Sequence, residues 1–327
     1  MKQLTNQDID ALERWWVEKS RVNFLAYRQY INAGNFKCNW FVEDLCKNLQ
    51  NFFCEMVKGK RPDYIFSTPP QHGKSIAISD FLAWAIGRYS RISTGLRSIY
   101  ASFSDHLGVR CNLQLQRQFF SKKFKNIFPQ FEAPKAQKIT ANNLFQRNRN
   151  IIEFKAPYGY FRNTTVGGPV TGETLDLGII DDALKGREQA NSQLYRDKIW
   201  EWLTDDFFTR FSEYAGLLGI GTRWNLDDWI GRIKEKYPTA KFFNYKAIAD
   251  KDEENRKAGE PLFPELKSLE FLEKRKELMS EENWLSLYQG QPIIKGGNLF
   301  KLDQFVWWVN QPKIRYKYGD LLLLRAH

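Results

Sequence analysis

Histidine and cysteine are scarce in this chain: its 327 residues include three of the first and four of the second. Cys38, Cys46, Cys54 and Cys111, with no export signal before them, exclude a disulfide framework. The first three recur every eight residues on a segment with a helical pattern, so they rotate away from one another and do not converge on a metal. Small buried hydrophobes is the better reading of these thiols. Long apolar runs are missing too. Leu321–Leu324, among the longest, falls far below the ~20 residues that a membrane span requires. The opening Met1–Asn6 has neither a hydrophobic stretch nor a small-residue cleavage site, which predicts no secretion and no membrane. Acid is in deficit, with 38 Asp and Glu against 49 Lys and Arg, a formal charge of +11. That imbalance says little about fold but points to a polyanionic partner. With 43% hydrophobic residues, the chain is rich enough in apolar side chains to exclude extended disorder.

What is present alternates between two periods. Thr5 reads as the N-cap of an amphipathic helix through Leu12, Trp15 and Trp16, and Phe41, Leu45, Leu49, Phe52 and Met56 lie on one face of a second. The pattern then predicts strands over 63–67, 97–102, 151–154, 175–181, 215–221 and 240–249. Helices are predicted over 75–86, 105–128 (long and basic), 192–211 (Trp-rich) and 266–288 (charged), with Gly296-Gly297 as a hinge. Alternating strands and helices imply an α/β fold, a mainly parallel sheet covered on both faces.

Between the first predicted strand and its helix stands Thr68-Pro69-Pro70-Gln71-His72-Gly73-Lys74-Ser75. A phosphate requires inward N–H groups, a positive helix end, a lysine and a hydroxyl on magnesium, and Gly73, Lys74 and Ser75 supply the end of that device. Thr68 stands where the usual first glycine would be. Alone, Gly-Lys-Ser is equally a turn before a helix. The context is the apolar strand 175–181, which ends in Asp181 and Asp182. In a phosphate-loop enzyme the first such acid holds magnesium through water and the second polarises the attacking water; outside that context the pair is as readily a helix cap with a solvated neighbour. The strand over 97–102 lies between loop and acids, as in ATPases with an additional strand. Gly221-Thr222-Arg223-Trp224 closes a further strand, where a hydroxyl could sense the γ-phosphate.

The order Pro-Pro-Gln-His-Gly-Lys-Ser, Thr171-Gly172, Ile-Ile-Asp-Asp, Gly-Thr-Arg-Trp with Asp227-Asp228, then Tyr288-Gln289-Gly290-Gln291-Pro292 with Gly297 and Phe300, resembles the large terminase subunit of tailed bacteriophages and prophages. The resemblance runs from about Phe36 to the end. It implies a P-loop NTPase core that uses ATP and Mg2+ to drive double-stranded DNA into a procapsid. It also implies a homo-oligomeric ring on the portal protein, a small terminase subunit as partner, and a place in the cytoplasm of the bacterial host. By resemblance, Pro70, Gln71, His72, Gly73, Lys74 and Ser75 hold the nucleotide, Ser75 and Asp181 the metal, Asp182 the water, and Thr222 couples hydrolysis to motion. Many relatives carry glutamate where this chain has Asp182 and arginine where it has Glu173, which leaves Arg162 and Arg223 as candidates for the arginine that completes a neighbour's site.

The division expected is a helical segment over 1–60, an ATPase core over 61–225, a small lid over 226–296, and over 297–327 a linker with the first strand of a nuclease domain. Tyr318–His327 reads as that strand and the chain stops before the nuclease acids, so no DNA cutting is expected of it. Arg110, Arg117, Lys122, Lys123, Lys125, Arg147 and Arg149 are candidate contacts to DNA backbone, against a solvated face. The alternatives to a motor are a helicase-like ATPase and a non-catalytic fragment that binds DNA or the portal.

Overall fold

Strands that are apolar on both sides need cover on both sides, and the helices of this chain divide to provide it. The computed structural model describes residues 5–135 and 144–293. In chain order its elements are α1 (Asn6–Val22), α2 (Phe24–Ile31), α3 (Trp40–Val57), β1 (Asp63–Ser67), α4 (Lys74–Tyr89), β2 (Arg97–Ser102), α5 (Asp105–Phe119), α6 (Lys122–Ile127), β3 (Ile151–Phe154), β4 (Gly159–Thr165) and β5 (Leu175–Asp181). There follow α7 (Arg187–Asn191), α8 (Gln193–Glu201), a π-helical turn (Trp202–Phe207), a 3-10 turn (Phe208–Arg210), β6 (Phe211–Gly221), α9 (Trp229–Lys236), β7 (Lys241–Asn244), α10 (Leu269–Leu278) and α11 (Glu281–Leu287). One seven-stranded sheet runs β3-β4-β2-β5-β6-β1-β7. Every pairing is parallel except that of β3 with β4.

The α/β class with a mainly parallel sheet and N-terminal helices is as the sequence predicts. Tyr64 and Phe66 of β1 join the core beneath α1–α5, whereas Ile65 joins the opposite core with Leu217, Trp229 and Ile233. Phe41, Leu45, Leu49, Phe52 and Met56 are all buried, and Thr5 caps α1 in a reciprocal box with Asp8. Gly219 makes room for this second layer: a Cβ there would lie 2.6 Å from the Trp229 ring and 2.7 Å from Ile65.

Several elements depart from the expected pattern, each for a local reason. The basic helix over 105–128 is two helices, because Ser121 accepts from Phe124 N and restarts the turn as the cap of α6. Ser280 does the same between α10 and α11, so 266–288 is not continuous either. The Trp-rich helix widens into a π turn, whose period brings Trp202 and Phe207, five residues apart, into stacked contact in the core. β7 covers only Lys241–Asn244 of the predicted 240–249, since its partner β1 ends at Ser67, where the loop begins. β4, unpredicted, is hidden in sequence by its polar Asn163 and Thr164, which are nonetheless buried. In chain order β2, β3 and β4 all precede the acids, but in the sheet the strand interposed between β1 and β5 is β6, not β2. Cys46 and Cys111 are buried as expected, while Cys38 and Cys54 are exposed, and Cys38 lies before α3. Among the described residues no helix is long and apolar enough to cross a membrane. Gly296-Gly297 and the rest of the expected C-terminal segment, through His327, lie outside the described residues.

A buried polar network fastens α4 to the N-terminal helices. Asp80 on α4 accepts from Arg28 Nε at 3.1 Å, Asn32 Nδ2 at 3.2 Å and Gln118 Nε2 at 2.8 Å. Burial pushes the Asp80 carboxyl up, and Arg28 pulls it back toward ionisation. Removing one partner of such a pair strands the other charge, so Arg28→Met should lose about 3–5 kcal/mol in urea unfolding. Adding Asp80→Leu should return part of it; a loss under about 1 kcal/mol would be that of a surface pair.

Candidate functional site

The predicted loop lies at the carboxyl end of the sheet, where β1 gives way to α4. Thr68 N donates to Gly221 O at 3.2 Å, which ties the start of the loop to the end of β6. Gly73 (φ +81°) and Gln71 (φ +59°) both adopt left-handed backbone, and this turns the chain sharply into the first turn of α4. His72 is buried with its Nδ1 2.9 Å from Pro70 O and its Nε2 without a partner. Burial lowers its pKa, with Lys267 and Arg256 adding to the effect, so the ring is neutral at pH 7. Gln71 accepts from Lys267 Nζ at 2.8 Å, a contact from 196 residues further on.

Lys74 reaches across β6 to form an ion pair with Asp182. Asp182 takes a left-handed backbone (φ +45°), and its Oδ1 accepts from Thr222 N at 2.9 Å and Thr222 Oγ1 at 3.4 Å. Asp181, beside it, is fully buried and accepts from the Tyr100 hydroxyl at 2.6 Å through Oδ2. Its Oδ1 has no partner. Burial pushes this carboxyl up, Lys74 opposes the shift, and the neighbouring Asp182 reinforces it. An orphaned carboxylate oxygen beside the Ser75 hydroxyl fits a small divalent cation. Among the described residues no three His, Cys, Asp or Glu side chains cluster as a metal site, so a cation here would complete its shell with phosphate and water.

The structure thus brings together Lys74, Asp181, Asp182 and Thr222, with Ser75 beside them. It places the two candidate arginines elsewhere. Arg162 on β4 pairs with Glu173 and donates to Pro169 O at 3.2 Å. Arg223 donates through Nε to both oxygens of Asp228, at 3.0 and 2.9 Å, and through its second nitrogen to Asn225 O and Leu226 O. Both are held by acids of their own chain. Tyr100 and Arg187 escaped the sequence reading. Tyr100 sits on β2 in register with Ile179, and a tyrosine in an apolar strand gives no signal of its partner. Arg187 follows the acids, stacks on Trp224 at 5.4 Å, donates to Trp224 O at 2.8 Å and pairs with Glu282. Of the basic residues, Arg110, Arg117, Lys122, Lys125 and Arg149 are exposed. Lys123 instead donates to Tyr30 O, and Arg147 to Gln116 and Lys135 O.

Residues 65–306 match the family model for the terminase large subunit, T4likevirus-type, N-terminal. The chain belongs to the terminase large-subunit family. Its fold is similar to that of the HK97 bacteriophage large terminase, at 17% identity and a TM-score of 0.51, over 86% of this chain and 55% of that one. The chain therefore spans about half the length of that relative. The large terminase ATPase domain of Thermus phage P74-26 aligns at 14% identity and a TM-score of 0.42, over 70% of this chain and 88% of that one. The large terminase of a thermophilic bacteriophage, in complex with ADP, aligns at 11% identity and a TM-score of 0.42, over 73% and 52%. No curated protein matches the chain. In this chain Glu173, at the position where the resemblance leads one to expect arginine, is the partner of Arg162, so the departure and the candidate arginine neutralise each other.

The Lys74–Asp182 pair makes a prediction for anion binding. A phosphate that approaches Lys74 must displace Asp182 or share the lysine with it, so Asp182→Asn should tighten pyrophosphate binding about tenfold, ~1.4 kcal/mol, by calorimetry. Unchanged or weaker binding would mean that the lysine is not held back by this carboxylate.

Proposed function

We propose that the chain is the ATP-hydrolysing motor unit of a large terminase and translocates double-stranded viral DNA into a procapsid. The observation that carries this reading is the meeting of Lys74, from the first turn of α4, with the paired acids that end β5 and with Thr222 at the end of β6. In this reading the Gly73–Ser75 N–H groups and Lys74 hold the β- and γ-phosphates, and Pro70, Gln71 and His72 shape the loop around them. Ser75 and Asp181 would hold magnesium, which when bound neutralises charge that develops on the phosphates. Asp182 releases Lys74 to the phosphate and orients the attacking water, and Thr222, bonded to Asp182, follows the change.

Lys267 on Gln71 supports a lid that senses the loop, and the small core of Ala247, Leu272 and Trp284 supports a separate packing unit within the proposed lid region. The exposed Arg110, Arg117, Lys122, Lys125 and Arg149, with a net charge of +11, suit backbone contacts to DNA that read no sequence. Portal protein, small terminase subunit and neighbouring copies in a ring are the partners this function requires. Arg162 or Arg223 can act in a neighbour's site only after leaving its own acid.

The test is hydrolysis by the purified chain with and without double-stranded DNA. Turnover should rise with DNA, and Lys74→Ala should lower it at least a hundredfold, ~2.7 kcal/mol of barrier. Equal turnover in Lys74→Ala would remove the loop from the mechanism. If an arginine comes from a neighbour, specific activity should climb with protein concentration; a flat response would place every catalytic group in one chain.

A further inference from the structure

At the end of β1 remote from the phosphate loop, Asp63 faces a cavity of about 190 Å3. The other walls are Phe208, Phe211, Leu217, Ile233 and Tyr237, so one carboxylate stands among three aromatic rings and two aliphatic side chains. Alternation along β1 explains the position: Asp63 shares the face of Ile65 and lies where the core beneath α9 runs out.

Nothing among the described residues answers this carboxylate. It takes part in no hydrogen bond or ion pair, and burial alone pushes its pKa up, to about 6 from an ordinary 3.8. The charges on neighbouring elements are engaged elsewhere. Arg61 pairs with Glu213 and lies over the Tyr214 ring. Lys241, on the strand beside β1, pairs with Glu55 and donates to the Tyr64 hydroxyl. Arg210 donates to Asp206 O, Arg232 is shared by Asp197 and Asp227, and Lys236 lies over Trp200. Lys234 and Glu235 are on the exposed side of α9, and Tyr237 brings only a phenol.

We propose that this cavity is a binding site for an alkyl monocation, with the chemistry of a lysine or arginine side chain. Apolar walls accept the alkyl shaft, ring faces attract a cation, and an unpaired carboxylate at partial burial gains most from an opposite charge. A cavity of ~150 Å3 takes one benzene, so this one has room for a group the size of butylguanidinium. The cation comes either from a free amine or guanidine, or from a second copy of this chain, whose Lys and Arg number 49. The inference is independent of the nucleotide reading, since it concerns the other end of the sheet.

The test titrates the full chain with butylguanidinium, and with butanol as a neutral partner of similar shaft. The folded chain holds its Asp63 proton more tightly than the unfolded chain, so the cation should bind about tenfold more weakly at pH 5 than at pH 8, while butanol should bind alike at both. Asp63→Asn should lose the preference for the cation and, without ligand, should melt higher than the parent above pH 6. Equal affinity of the parent for butylguanidinium and butanol at pH 8, or unaltered cation binding in Asp63→Asn, overturns the proposal. Sedimentation velocity separates the sources: dimers that butylguanidinium dissociates and Asp63→Asn never forms assign the cation to a second copy, and monomers throughout assign it to a free small molecule.

Discussion

One lysine holds the site together. Lys74 rises from the first turn of α4 and meets Asp182, which follows a strand two places away in the sheet, about 10 Å at ordinary strand spacing. Burial and the neighbouring Asp182 both push the Asp181 carboxyl up, and the charge of Lys74 opposes that shift. Everything around the pair fixes its geometry. The Tyr100 hydroxyl restrains Asp181 from β2, the Thr222 amide restrains Asp182 from β6, and the left-handed backbone at Asp182 aims its carboxylate back across the sheet.

The helix that carries Lys74 is itself anchored from below. Asp80 lies further along α4, and its bonds to Arg28, Asn32 and Gln118 connect the helix that follows the 68–73 loop to α2 and α5. This arrangement makes the N-terminal helices part of the loop's support, not an appendage. The C-terminal end of the described chain packs where β1 and β7 end, next to the start of that loop. Gln289 pairs with both backbone groups of Ile248, at 3.2 and 2.9 Å, in place of a strand neighbour. Gly290 follows at φ +63°, where a Cβ would lie 2.0 Å from Asn244 and 2.7 Å from the Ser67 hydroxyl at the end of β1. The Tyr-Gln-Gly run of the sequence therefore has a physical reason: one residue imitates a strand and the next must have no side chain.

Much of this was legible from local pattern. The runs over 63–67, 97–102 and 175–181 read as strands because their centres, Tyr64–Phe66, Ile99–Ala101 and Leu177–Ile180, are apolar on both faces and short, and Gly73 stands at the left-handed turn from which α4 begins. The serine caps at Ser121 and Ser280 were equally local but lay inside runs whose hydrophobic period continues through them, so two helices read as one.

The sequence by itself determined the fold class and the positions of the loop and the two acids, because strand and helix periods and short motifs are each read from residues within a few positions of one another. Only the tertiary structure decided that β6 stands between loop and acids, that Arg162 and Arg223 are held by Glu173 and Asp228, that Tyr100 bonds to Asp181, and that Asp63 faces an aromatic cavity without a partner. Strand order, the enclosure of a cavity and a partner drawn from a distant element follow from how two packed layers bring remote residues into register, and no periodicity along the chain encodes that choice of neighbour.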